Sequence, residues 1–422
     1  MKAPIHAVLV LWLTIVSSTA GTGKEPLLDA ADGQANDDFE WCHWLQDNPG
    51  RLYRNKKHPW IQSFQIEGRL HYQFAHVDGT DVNGLDFNDS YDDFRRLRLG
   101  AKTDFLRLFT AEVTVNLVDD NRYRRGLERS MNLGRTTFDE VSLEFDVGDA
   151  IGDGFLDEIK LKTGRMRVRV TEEAHMSSRE IYTIERSAIS TKLGGEASRP
   201  TGVTLELGKG DWELTLGAFS AEPDAPFISD WQDGSFYYGS LEWEPTDELR
   251  FVMDYTLNDA NNFVSPFVDS DALGYSWGSA LSAVYERERW GFILEAIYGD
   301  NGGGFTTPLP RRQGDFHGFV VMPWYWIIED KLQLVFQYQY ASSEESQGLQ
   351  LPSRYIRGNR ENPAVDVDNG RGNEHHYFYG GLNYLLCGDN VKLMAGISYD
   401  DLTTRTSTVD ALTYSMAFRM YF

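Results

Sequence analysis

Only two cysteines, Cys42 and Cys387, stand in 422 residues, so a disulfide-stapled scaffold is excluded. Beyond the N-terminus no run of about 18 apolar residues occurs, which excludes a membrane protein built on helices. Basic residues are scarce beside acidic ones: 40 Lys and Arg against 64 Asp and Glu, for a formal charge of −24. Nucleic acid is therefore not an expected partner, because phosphate contacts need Lys and Arg. Catalytic motifs are missing too. There is no Gly-x-Ser-x-Gly elbow and no His-Glu-x-x-His pair. His71, His76, His175 and His317 are too scattered to activate a nucleophile or a water. His375 and His376 are adjacent, so in a strand they point to opposite faces and chelate poorly. No enzyme, no cofactor and no metal site is expected. What the chain does have is 13% aromatic residues and many branched apolar ones, which exclude disorder. A large β-rich protein remains, soluble or barrel-forming.

The first twenty residues read as a secretory signal peptide. Lys2 supplies a positive start, residues 5–16 are mostly apolar, and Ser17-Ser18-Thr19-Ala20 offers small residues for cleavage near Ala20. No cysteine follows the cut, so this is not a lipoprotein signal. Residues 21–60 are polar and acidic at first, then carry Trp41, Trp44 and Trp60 among Lys and Arg. They read as a partly ordered periplasmic extension.

From residue 61 onward the dominant signal is alternation with period two. In the opening segment Phe64, Ile66, Leu70, Tyr72 and Phe74 share one face; Gln65, Glu67, Arg69, His71 and Gln73 share the other. The last segment repeats this, with Leu412, Tyr414, Met416, Phe418, Met420 and Phe422 on one face. About 16 such segments can be read, one of them spanning 159 to about 168. Their connections alternate in length. Short ones lie near 103–107, 208–211, 244–248, 286–289, 328–331 and 387–390. Long ones lie near 76–93, 119–136, 169–200, 221–235, 259–273, 299–314 and 342–373. Aromatic residues cluster at the segment ends, as interfacial girdles would require. The expected fold is all-β: a transmembrane antiparallel barrel over residues 61–422, with short periplasmic turns and long extracellular loops. The competing reading, a soluble sandwich or solenoid, does not require the long-and-short rule.

In a wide barrel the polar face lines a lumen and sets selectivity. Residues 94–199 hold 19 basic and 18 acidic residues, whereas the remainder holds 21 and 46. A positive path can therefore run only along 94–199. Arg96 and Arg98 share one parity, and so do Arg165, Arg167 and Arg169. Such columns of guanidiniums offer successive weak anion sites. Arg122, Arg124, Arg125 and Arg129 form a further group in an expected long loop. The plainer alternative is that these arginines pair with nearby carboxylates and merely keep the lumen wet.

Several stretches resemble the phosphate-selective porin O and P family. They are Phe94-Arg95-Arg96-Leu97-Arg98-Leu99, Phe138-Asp139-Glu140-Val141, Leu161-Lys162-Thr163-Gly164-Arg165-Met166, and Ser177-Ser178-Arg179 followed by Glu185-Arg186-Ser187. Gly380-Gly381-Leu382-Asn383-Tyr384 and Asn390-Val391-Lys392-Leu393 are similar to that family's penultimate hairpin. The resemblance implies a 16-stranded homotrimeric anion channel of the bacterial outer membrane. It implies that Arg95 and Arg96 belong to the lumen arginines, and that 169–200 folds inward as the constriction. Arg179 then stands where a phosphate-selective member carries Lys.

The expected pathway thus comprises Arg95, Arg96, Arg98, Arg165, Arg167, Arg169 and Arg179. The expected function is passive diffusion of small inorganic anions, phosphate among them. Two alternatives stay open: a non-selective or cation-preferring porin, and a non-conducting barrel that anchors the envelope or mediates adhesion. Outer-membrane lipid and lipopolysaccharide are expected partners, the latter through divalent cations held by acidic loops. Asp366-Val367-Asp368-Asn369-Gly370 resembles a calcium-loop fragment, but it is one residue short and Tyr377 stands at the twelfth position. Gly79 and Gly302-Gly303-Gly304 read as loop glycines. Cys42 and Cys387 both fall on the short-turn side, where a disulfide between them would pin the extension, or two separate thiols would stand.

Overall fold

The computed structural model describes residues 41–422 except 48, 119–132, 153, 195–198, 223–230, 232–233, 261–272, 303–313, 352 and 358–363. The signal-peptide reading and the loop arginines at 122–129 fall outside these residues.

Sixteen strands form one antiparallel barrel. They are β1 Ile61–Thr80, β2 Asp86–Phe105, β3 Phe109–Val118, β4 Leu133–Asp146, β5 Glu158–Arg165, β6 Thr201–Lys209, β7 Trp212–Ser220 and β8 Gly234–Thr246. Then follow β9 Leu249–Ala260, β10 Trp277–Arg287, β11 Trp290–Asp300, β12 Asp315–Ile328, β13 Leu332–Ser343, β14 Glu374–Cys387, β15 Val391–Thr403 and β16 Thr408–Tyr421. Each strand pairs with its neighbour in sequence. The barrel closes where β16 meets β1, with Asp410 opposite Thr80 and Tyr421 opposite Arg69. Closure leaves no sheet edge, which is the condition for backbone to cross a bilayer.

The alternation has the polarity of a barrel in lipid. On β1 the apolar Phe64 and Phe74 are exposed, while the polar His71 and Gln73 are buried. Stacked rings mark the short-turn end: Phe105, Phe109 and Phe145 in one group, Trp212, Trp243 and Phe251 in another. The turn from β2 to β3 is tight because Leu106 and Arg107 both take positive φ, 54° and 67°, the handedness that matches strand twist.

The expected long connection at 76–93 is a correction. β1 runs on to Thr80 and β2 begins at Asp86, so only five residues join them. At this height the pattern inverts. Ala75, Val77, Phe87 and Tyr91 point inward and pack on Leu351, Tyr355, Ile356 and Val365 of the segment between β13 and β14. The outward His76 and Asp78 are wet. Apolar-in and polar-out is what a strand shows once it rises above the bilayer, so the local sequence resembled a loop.

At the other rim a helix, α1 (Trp41–Asp47), precedes a short strand (Arg51–Arg54) that pairs with β1 at Ser63–Gln65. Cys42 and Cys387 are joined by a disulfide, their Cα atoms 5.2 Å apart. Leu45 packs beside that bridge with Val391.

Candidate functional site inside the barrel

The chain between β5 and β6 turns into the barrel. Its buried apolar residues explain why: Met166, Val168, Val170, Ile189 and Leu193 have little exposure and need a dry partner. They find one in inward-facing Phe219, Phe236, Ile293, Phe316 and Trp324 of β7, β8, β11 and β12. A strand with apolar residues on both faces has no water on either side. β12 is of that kind, with Phe316, Val320, Met322 and Trp324 inward, while β9, β11 and β13 also carry buried polar side chains inward.

Polar contacts fix the segment along the same half and around to β16. The Thr171 N–H donates to Asp254 Oδ2 of β9 at 2.9 Å, and the Glu172 N–H to Glu295 Oε1 of β11 at 2.6 Å. Gln337 and Gln339 of β13 bond Glu173 and the Ile189 N–H, each at 3.0 Å. Asn383 of β14 donates to the Tyr182 carbonyl at 2.8 Å, and Lys392 of β15 to that of Ile181 at 3.3 Å. Arg419 of β16, almost fully buried, donates to the Ile184 carbonyl at 2.6 Å. Buried carbonyls paired in this way avoid the cost of stranded backbone groups.

The space left open lies against β1–β8. It is a cavity of about 550 Å³ with charged walls. Arg69 and Arg96, Arg98, Arg167, Arg169 and Arg199 line it. Arg98 and Arg199 share Asp139, at 2.7 Å and 3.1 Å. Lys162 pairs with Glu140. The Arg169 side chain is exposed in the cavity, its carbonyl held by the Tyr238 hydroxyl at 2.7 Å. Carboxylates line the same space toward the short turns, among them Glu112, Glu144, Glu206, Glu213 and Glu242. In all, nine Lys and Arg and nine Asp and Glu line it, so the lining is formally neutral.

Of the seven arginines expected from the sequence, the fold brings Arg96, Arg98, Arg167 and Arg169 to this cavity. Arg95 reaches the interior by a β-bulge. Tyr72 pairs with Phe94 and His71 with Arg96, so Arg95 is the extra residue. It bonds Glu185 of the inward segment at 2.9 Å, off the cavity wall. Arg165 also lies off the cavity. β5 stops at Arg165 rather than near 168, Gly164 takes φ 124°, and the Arg165 Nε donates to the Phe138 carbonyl at 2.9 Å. Arg179 pairs with Glu180 at 2.7 Å and lies over the Tyr421 ring, 4.8 Å from its centre. Three lining arginines stood outside the expected pathway, and Arg186 of these was read only as part of a motif. Arg69 sat on the polar face of the opening strand, a usable signal. Arg199 precedes Pro200 outside any periodic stretch and gave none.

The Asp81 carboxylate, just beyond β1, joins two connections at the far rim. It accepts N–H groups of Asn83, Leu85 and Asp366, each at 2.8 Å. Burial opposes its ionisation, but the three backbone donors outweigh burial and hold its pKa below the ordinary 3.8.

Comparison with known proteins agrees with this geometry. Residues 64–248 match the model of the phosphate-selective porin O and P family. No curated protein matches the sequence. Among solved structures, the outer-membrane channel DcaP of Acinetobacter baumannii is similar, with 13% identity and TM-score 0.57, covering 88% of this chain and 100% of its own. The loop-L8 deletion mutant of Vibrio cholerae OmpT has 13% identity and TM-score 0.54, covering 85% and 99%. The anion-selective porin of Comamonas acidovorans has 10% identity and TM-score 0.51, also covering 85% and 99%. At these identities the likeness is one of fold, and the fold is that of outer-membrane porins. Family match and fold together support an outer-membrane channel rather than an enzyme.

Proposed function

We propose that this protein is a passive outer-membrane channel for small anions, phosphate among its candidate solutes, exported through its N-terminal signal and working as a homotrimer. The observation that carries the anion reading is the gathering of seven arginines from β1, β2 and the inward segment around one cavity. Closely spaced guanidiniums on a wet wall hold anions weakly and in succession, which conduction needs. No bond is made or broken; the solute gradient drives flow. One similar structure, that from Comamonas acidovorans, is described as anion-selective.

Support for the trimer comes from the outer surface. On β3–β7 the exposed Val113, Leu143, Leu161, Val203 and Leu216 are aliphatic and Trp212 stands at the rim, whereas β9–β14 interleave Leu257, Leu281 and Leu294 with Tyr255, Tyr298, Phe319, Phe336 and Phe378. A lipid-facing wall carries aromatic residues at its interfaces. The aliphatic face suits a neighbouring copy.

The test is the reversal potential of the purified channel in a planar bilayer under a KCl gradient. The expected result is anion selectivity that weakens in Arg167→Ala and Arg169→Ala and chloride current that phosphate blocks. Cation selectivity would overturn the anion reading and favour a cation-preferring pore. One observation favours that second reading: Glu112, Glu144 and Glu213 line the same cavity and have no ion pair among the described residues. Absence of any conductance would overturn both.

A further inference from the structure

One patch of the short-turn rim carries a charge opposite to that of the chain as a whole. Residues 50–61 hold Arg51, Arg54, Lys56 and Lys57 and no acid, in a protein of formal charge −24. The fold adds a fifth cation. The Leu106 N–H donates to the Trp60 carbonyl at 2.8 Å, and the Arg107 N–H to Gln62 Oε1 at 2.8 Å, which sets the β2–β3 turn beside this segment. Arg54, Lys56, Lys57 and Arg107 are all exposed and make no ion pair among the described residues.

This patch is held in place. The Ile66 N–H donates to the Gly50 carbonyl at 2.8 Å and the Asn55 N–H to that of Gln62 at 2.7 Å. The strand Arg51–Arg54 pairs with β1 below the point where β16 ends opposite Arg69, so it prolongs the barrel wall past the rim. Trp60 is 67% exposed, the highest value of any tryptophan described. It lies next to Ile61 and Leu106, also exposed, on the side where Phe105, Phe109 and Phe145 stack.

Tryptophan beside cations at the edge of an apolar belt is the make-up of a bilayer interface, where the ring sits among headgroups and Lys and Arg reach phosphate. We propose that residues 50–61 together with Arg107 bind the anionic phospholipid headgroups of the leaflet on the short-turn side. Charge complementarity selects this occupant. The chain outside the patch is strongly acidic and repels such headgroups, so the local cluster of Arg54, Lys56, Lys57 and Arg107 is what holds the rim against them. Binding here fixes the depth of the barrel in the membrane at the strand pair that continues past the end of β16.

The test uses the full-length protein reconstituted in phosphatidylcholine bilayers. Spin-labelled phosphatidylglycerol is compared with spin-labelled phosphatidylcholine for the fraction immobilised at the protein surface. Phosphatidylglycerol should be preferred by about threefold at low ionic strength, with the preference shrinking as salt shortens the Debye length toward ~3 Å. In the combined variant Arg54→Gln, Lys56→Gln, Lys57→Gln, Arg107→Gln the preference should fall to parity while the barrel still migrates as folded on a cold gel. The wild-type salt series tests the idea even where the variant folds poorly. A preference that survives both substitution and salt overturns it. So does equal affinity for the two lipids, and if the variant then loses its trimer, or its binding to purified cell-wall polymer, the patch serves that partner instead.

Discussion

Arg98 of β2 and Asp139 of β4 meet at 2.7 Å across the intervening strand β3. The same carboxylate also holds Arg199 at 3.1 Å. One carboxylate is thus shared by two guanidiniums and offsets one of their two charges on the wall where anions are proposed to pass. Asp139→Asn should remove the negative charge that offsets the two guanidiniums. The anion-to-cation permeability ratio should rise by about twofold, since one fixed charge near a narrow path shifts ion partition measurably. Arg98→Gln should move it the other way. Reversal potentials of the two variants under one KCl gradient decide the matter, and equal values would show that this wall lies off the ion path.

Arg419 ties the inward segment to the closing strand. Its guanidinium donates to the carbonyls of Ile184 at 2.6 Å, Thr183 at 3.3 Å and Ser178 at 3.3 Å. Arg419→Met removes these bonds and strands the carbonyls, at a cost of about 3 kcal/mol. The loss falls on the segment rather than on the strand ladder. Single-channel traces should show larger and noisier conductance, while the folded barrel keeps its heat-modifiable mobility. A quiet trace of unchanged amplitude would mean that the contacts from β9 to β15 suffice.

The strands were legible and much of the interior was not. Outward residues such as Phe64, Leu143 and Phe336 obey one rule, contact with lipid, and so their period shows in the sequence. Inward residues obey several. Val320 and Met322 pack on the inward segment, Glu206 and Glu213 face water, and Ala75 and Val77 meet the connection before β14. No single period covers all three. Arg95 and Arg165 show the limit of parity. A bulge turns the first inward and Gly164 diverts the second, and both are single-residue events that leave the flanking pattern intact. The partner of Arg98, Asp139, was visible as part of a motif, but nothing in the sequence said which cation it would hold.

Asp81 makes the junction between the β1–β2 connection and Asp366 sensitive to acid. Its pKa is depressed in the folded state, so its contribution is complete above the ordinary 3.8 and is lost as pH falls through the lower, folded value. Amide exchange in residues 353–357 and 364–367 should therefore be slow at neutral pH and accelerate only below about pH 4. Asp81→Ala should show fast exchange at every pH, because three N–H groups lose their acceptor at once. An unchanged exchange pattern in that variant would assign the closure to Tyr355, Ile356 and the other apolar residues packed there.

The disulfide between Cys42 and Cys387 joins positions 345 residues apart, yet the barrel has its own closure between β16 and β1. The two links should therefore fail separately. Reduction, or Cys42→Ser with Cys387→Ser, should leave the sixteen-stranded ladder and its gel mobility intact. It should loosen α1, whose other contacts include Leu45 packing on Val391 and a bond from Asn390 to the Leu45 carbonyl at 3.3 Å. Limited proteolysis of the reduced protein should then cut within 41–50, at a rate at least tenfold above that of the oxidised protein, as expected when local opening costs fall by about 1.4 kcal/mol or more. Equal protection in both forms would show that the apolar contacts alone seat the helix. Loss of the folded band on reduction would show instead that the bridge contributes to barrel stability as a whole, as a cross-link closing a long loop can.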